Sequence, residues 1–392
     1  MLIYIGIFFL LLYLTIHYDI NRREAYKKFW YRFVLVLLIL VAGLRWRLGS
    51  DTPVYMRQFF YETPFLKDLQ IEDILAGLKP LWKILNSMIY TWFGRFYILQ
   101  LIHAAVVNYL FFKYFKKHSN YIFFCILFYF FWLYFSLSMQ IMKASFSIAI
   151  CLFANDYLLD KKWIKSYFLY ALAMMFHPQT ALLLLMPFFL KLKFNFKGLL
   201  ILLCCFVSGF AIQRFLGDYI FIIESIGDDT LMQKANGYAQ IVSGANNSLL
   251  RTVTAIGILF CEILIVIYAK KRAKLNVSNL EPFLMLGMAS LMIQINIELF
   301  YRYVFYFSFY FIILFSFIAQ YIVQNRREIR KELAFARVLV FFSPLLLCIH
   351  VNRYFQLLRY VPYSSIIEKS VDKAREDNYI MNGKPAANKN EY

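Results

Sequence analysis

The sequence is short of the charge that a water-soluble fold needs. Charged side chains make up 17% of its 392 residues, where soluble chains carry about a quarter. A soluble chain of this length would form about two or three domains, each hiding a core behind a charged surface. Too little charge is present to build those surfaces. Glycine and proline are also sparse, 14 and 9, and no internal repeat is visible, so the paired broken helices of many transporters are not expected. The six cysteines, Cys125, Cys151, Cys204, Cys205, Cys261 and Cys348, lie inside apolar runs without metal-type pairing and read as small packing residues. There is no Gly-rich phosphate loop after a strand pattern, no zinc spacing and no nucleophile elbow. Cytoplasmic nucleotide-sugar chemistry is therefore unsupported, and no metal or other cofactor is expected.

What fills the sequence is apolar, at 61% of residues with 20% aromatic. Runs such as 2–16, 121–135, 199–210 and 304–319 are separated by short charged clusters, not by amphipathic patterns of period 3.6. Lipid is thus the solvent for most side chains. The aromatic rings could stack on sugars, but membrane spans are rich in Phe in any case.

The formal charge of +19 fits either nucleic acid or anionic lipid, and the placement of the charges decides between them. About half of the 42 Lys and Arg fall in six breaks between apolar runs, around Arg22, Lys113, Lys161, Lys191, Lys270 and Arg326. That is the pattern of cytoplasmic loops under the positive-inside rule, and it speaks against a nucleic-acid partner. No basic residue precedes the first run and no small-residue cleavage site follows it, so 2–16 reads as a retained span, not a removable signal.

Pinning these clusters inside gives an all-α polytopic membrane protein with about ten to twelve transmembrane helices. It reads as a single transmembrane domain over 1–367, with outer loops near 45–95 and 214–250, and a polar, disordered tail over 368–392. The segment 80–93 is apolar but interrupted by Lys83, Asn86 and Ser87, so it reads as lying along the interface or dipping in and out. Spans follow near 96–112, 121–136, 140–159, 198–213, 250–269, 281–300, 303–323 and 334–350. Residues 167–190 lie between two basic clusters, long enough for one crossing or for a broken or re-entrant pair of half-length helices. Pro178 disfavours helix at His177, which puts the bend there.

Four constellations carry chemistry. The first is residues 45–55, with Arg45, Arg47, Gly49, Asp51, Thr52, Pro53 and Tyr55. Thr52 would cap a helix beginning at Pro53, aiming free N–H groups toward two guanidinium groups, a pocket suited to a diphosphate. The plainer reading is that both arginines snorkel to headgroups and pair with Asp51. The second is Lys143, one turn inside a span, with Gln140 and Ser147 on its face; it is a site residue or it snorkels. The third is His177, a base near neutral pH or simply a hydrogen-bonded side chain. The fourth is Glu298 and Arg302, spaced i to i+4, which either neutralise each other or leave Arg302 for an anion. Arg251, Arg353 and Arg359 add basic groups on the same side, where the positive-inside rule predicts few.

The motif Arg47, Gly49, Asp51, Tyr55 and Phe59, the later Phe176-His177-Pro178, the Tyr301-Arg302-Tyr303 turn and the closing Tyr360-Val361-Pro362-Tyr363 resemble the EpsG family of Wzy-like polysaccharide polymerases in order and spacing over most of the chain. One departure is Lys143 in Ile141-Met142-Lys143-Ala144, where the family usually has arginine; charge is kept and bidentate geometry is lost.

The resemblance implies a multi-pass protein of the bacterial plasma membrane. It implies metal-independent glycosyl transfer between undecaprenyl-diphosphate-linked oligosaccharides, with Arg47 and Arg302 holding diphosphate and Arg45, Lys143 and Arg251 assisting. His177 or Asp51 would accept the proton. Membrane lipid, a chain-length regulator and a flippase of the same pathway are the implied partners. The rivals are a flippase or exporter of the same lipid-linked sugars, which needs no base, and a related ligase or lipid-linked-sugar glycosyltransferase.

Overall fold

A computed structural model describes residues 2–75, 78–224, 249–297, 300–325, 359–381 and 384. It is 78% helical, with no strands among the described residues, which establishes the expected all-α polytopic membrane fold. Among the described residues six helices are long and apolar enough to cross a membrane: Leu2–Ile20, Phe96–His118, Ile122–Met139, Met142–Leu159, Thr252–Arg272 and Tyr301–Gln324. Pro178–Phe189 is a shorter apolar helix, and Phe196–Gly209 is the apolar part of the longer helix Phe196–Glu224. The expected span 334–350, residues 225–248 of the second loop, Glu298 and Arg353 lie outside the described residues. The chain divides into two compact units, Met1–Pro187 with Asn352–Tyr392, and Phe188–Val351.

In the first unit the helices alternate in direction. Lys117 and His118 close helix Phe96–His118 and meet the Asp156 carboxylate near the end of helix Met142–Leu159, at 2.7 and 2.9 Å. Asp19, at the end of the first helix, accepts the Phe124 N–H at 2.7 Å. These pairs gather the basic clusters around Arg22, Lys116 and Lys161 at one end. The other end carries Tyr4, Gly43, Arg95, Met139 and Lys143. Apolar side chains such as Phe9, Val36, Leu40, Ile164 and Phe168 face outward, as they do when the surroundings are lipid. Polar groups turn inward instead: the buried Tyr129 hydroxyl donates to Asn108 Oδ1 at 2.9 Å, with Ser138 alongside. Helices in lipid are joined by such bonds and by close packing at small residues. Gly43 is one of those, since a Cβ there would meet Leu101 of the neighbouring helix at 2.7 Å.

Helix Pro80–Phe93 has 14 residues, about 21 Å of rise, too short for a hydrocarbon core of about 30 Å. It ends at Gly94 in the left-handed conformation. The broken pair expected near 167–190 is present as helix Trp163–Met174, an extended His177 and the 3-10 helix Pro178–Leu185. Proline at the first position of the second segment and the conformation it forces on His177 account for the break.

The end of the chain differs from expectation. The tail expected to be disordered after Glu368 contains a helix, Lys373–Met381, with Arg375, Glu376 and Tyr379 buried. Residues 359–366 return to the second helix, through an isolated bridge between Arg45 and Ser365 and through Trp46 N–H to the Ser364 carbonyl at 2.8 Å and Ile366 N–H to the Leu44 carbonyl at 2.9 Å. Composition hides this, because burial comes from three side chains on an otherwise polar helix.

In the second unit the helices are Phe196–Glu224, Leu249–Ile267 with its continuation to Arg272, Glu281–Gln294 and Tyr301–Gln324. The first of them runs on through residues expected to begin a loop at 214. Glu281 starts its helix by accepting from the Phe194 N–H and pairing with Lys270 Nζ at 2.6 Å. Phe283 and Tyr310 stack at 4.2 Å between the last two helices.

Candidate functional site

Residues 44–51 form a tight loop at the end of the second helix. Gly49 has φ +91°, and a Cβ there would run into the Met139 carbonyl, so only glycine fits. Its N–H donates to the Arg359 carbonyl at 3.1 Å. Arg45 is fully buried and donates to the Ala42 and Leu48 carbonyls. Burial lowers its guanidinium to about 10, opposed by the phenols of Tyr134, Tyr360 and Tyr363, so it remains a cation at neutral pH. Arg47 forms a fork with Glu376, Nε to Oε1 at 2.9 Å and Nη2 to Oε2 at 2.8 Å, and the Tyr379 hydroxyl donates to its carbonyl. The two arginines therefore face carbonyls and a carboxylate within the fold. The expected cap differs too: helix Thr52–Arg57 starts one residue early, with Asp51 at the cap position and no side-chain cap bond. Thr52 instead donates to the Leu48 carbonyl at 2.6 Å. The Asp51 carboxylate accepts from Ser50 at 3.2 Å and lies 3.9 Å from Lys384 Nζ.

Lys143 does open onto a cavity. It is the second residue of helix Met142–Leu159, because the chain breaks at Gln140 and Ile141. Gln140 thus belongs to the preceding turn and accepts from the Tyr360 hydroxyl at 2.6 Å, and Ser147 donates to the Ala173 carbonyl; neither acts as the companion expected for Lys143. The ammonium instead lies over the rings of Tyr55 and Trp82, 5.1 and 5.3 Å from their centroids, and donates to Gln58 Oε1 at 3.2 Å. An ammonium between aromatic faces gains from both ring quadrupoles. The adjoining cavity of about 310 Å³ is lined by Lys79, Lys83 and Lys143, by the carboxylates Glu62 and Asp73, and by Trp82 and Asn86. Gln58 and Glu62 reach it from a π-helical turn, Gln58–Glu62, a distortion common at functional sites.

His177 belongs to the same end. Ser166 bonds the Ala154 carbonyl and Ser147 the Ala173 carbonyl, an antiparallel register that carries His177 to the level of Lys143. Phe176 stacks on Phe146 at 4.7 Å, and Leu81, beside Trp82, donates its N–H to the Met175 carbonyl. His177 is buried at 7% exposure. Arg302, in the second unit, is the second residue of helix Tyr301–Gln324 and lies over the Tyr301 ring at 5.6 Å. Arg251 falls in helix Leu249–Ile267 of that unit.

Sequence reasoning missed Lys79, Trp82, Lys83 and Gln58 as cavity residues and Glu376 as the partner of Arg47. It also missed Glu262, a buried carboxyl inside an apolar helix with Oε2 lacking a hydrogen bond. A lone acid in that run was a visible signal; a carboxylate 329 residues from its arginine was not.

A family model described as the EpsG family matches residues 28–365. No curated protein and no solved structure matches the chain.

Proposed function

Because this chain belongs to the EpsG family of Wzy-like polysaccharide polymerases, we propose that it joins undecaprenyl-diphosphate-linked oligosaccharide repeat units into a surface polysaccharide. The reaction takes place at the outer face of the bacterial plasma membrane, where a flippase delivers the units and a chain-length regulator limits the product. The observation that carries this reading is the cavity beside Lys143, which holds fixed positive charge, carboxylates and an aromatic wall together.

In the transfer step the acceptor sugar hydroxyl attacks the anomeric carbon of the donor. A carbon–oxygen bond to the acceptor forms, the anomeric carbon–phosphate oxygen bond breaks, and its electron pair leaves on the lipid diphosphate. The hydroxyl proton passes to His177 or Asp51 acting as base. Negative charge grows on the leaving oxygen, and Lys143, already held in place by Tyr55, Trp82 and Gln58, stabilises it without moving. Trp82 offers an apolar face to a sugar ring. Arg47 and Arg45 hold the loop that presents Asp51.

The test is purified protein with synthetic lipid-diphosphate repeat units, followed by product sizing. The wild type should convert single units into a ladder. Lys143→Met removes one donor at the leaving group and should slow this about 10²- to 10³-fold without loss of folding. No ladder from the wild type, or an unchanged rate in Lys143→Met, overturns the assignment.

A further inference from the structure

A second cavity, of about 350 Å³, lies against the other side of the segment 52–62, a size usual for small-ligand sites. Met56 and Phe60 line it, whereas Gln58 and Glu62 line the first; the i, i+4 spacing of each pair puts them on different faces of one helical segment. The polar groups of the second cavity differ in kind from those of the first. Arg95, Lys369, Gln100, Trp46 and Tyr97 are its polar side chains, and among the described residues no carboxylate lines it.

The cavity sits at the start of the 23-residue helix Phe96–His118, where Arg95 occupies the cap position without a side-chain cap bond. The Ile98 N–H is taken by the Arg95 carbonyl at 3.2 Å, and the start of the helix dipole favours an anion beside the first turn. Helix geometry alone does not make a site; Gln100 supplies the independent observation. It is 2% exposed and lines the cavity, yet its Nε2 has no hydrogen-bond partner. A buried amide left unsatisfied costs about 1–3 kcal/mol, a cost that a bound acceptor oxygen removes. Side chains lean toward the start of their helix, which aims Gln100 at the same space as Arg95. Lys369 is held over the Trp46 ring at 5.6 Å. Next to the cavity the surface is apolar: Trp92, Phe93 and Tyr97 are 60, 52 and 37% exposed.

We propose that this cavity binds the phosphate group of an anion, with Arg95, Lys369 and the Gln100 amide as donors and the neighbouring aromatic surface receiving an apolar tail. On the polymerase reading it seats the diphosphate of one of the two lipid-linked substrates, with the first cavity left for the other. Binding is read without turnover, so a protein that binds but does not polymerise sinks the polymerase reading and leaves this one standing.

The experiment is calorimetric titration of the full chain in neutral-lipid nanodiscs with pyrophosphate and with farnesyl diphosphate. The wild type should bind, and Arg95→Gln should weaken binding at least tenfold. Gln100→Leu should weaken it severalfold while leaving thermal stability equal or higher, because it removes an unsatisfied amide. Tighter binding of farnesyl diphosphate identifies a lipid-borne phosphate, and equal binding identifies the free anion. Affinities unchanged in both variants, or no binding of either ligand to the wild type, overturn the proposal. A loss of stability in Gln100→Leu also overturns it, since the amide would then be structural.

Discussion

The Arg47–Glu376 fork separates two roles that an arginine in this motif can have. Its nitrogen–oxygen distances are 2.9 and 2.8 Å, and the Arg47 side chain is 2% exposed with Glu376 at 11%. A pair this dry loses about 3–5 kcal/mol when one partner is removed, because the other charge stays buried and unpaired. Replacing both partners by apolar side chains of similar volume is close to neutral or stabilising. Arg47→Met and Glu376→Leu should each lower the thermal stability of the detergent-purified protein strongly, and the double variant should recover most of the loss. Polymer sizing on the same samples adds the functional arm. If Arg47 holds the loop, the double variant makes a ladder again; if it grips diphosphate, the double variant folds and stays inactive. A double variant no more stable than either single one would refute the argument that the fork is a buried, mutually neutralising pair.

Further outcomes follow from other contacts. Gly49→Ala should destabilise the protein by about 1–3 kcal/mol, since both its φ of +91° and the Met139 carbonyl oppose a side chain; a melting temperature equal to wild type would show that the loop relaxes freely. Asp156→Asn leaves Lys117 and His118 without their shared carboxylate and should cost about 1–3 kcal/mol, read as a lower melting temperature, with product lengths unchanged because the pair lies at the end of the unit away from Lys143.

Much of the helical plan was legible because lipid imposes it on composition. The start of the first helix, the helix beginning at Phe96 and the break at His177 fall where apolar runs, basic clusters and Pro178 put them. The break at Gln140 was not legible, since neither glycine nor proline marks it; the loop around Gly49 packs against Met139 there. The site was legible only in part. Lys143 stood out as a charge in an apolar run, and Arg45 and Arg47 as a cationic motif, but a sequence does not say which cation faces a cavity and which faces carbonyls. Trp82, Gln58 and Gln100 look ordinary in sequence, and only tertiary packing gives them their surroundings.

The distance in sequence between Arg47 and its carboxylate bears on how the protein is made. The two are separated by 329 residues, which at roughly 5–20 residues per second is about 15–65 s of translation. Throughout that interval the early loop is in the membrane with an unneutralised guanidinium, and any product that terminates before Glu376 never leaves that state. Completion of the polypeptide is thereby tied to closure of the loop that follows its second helix.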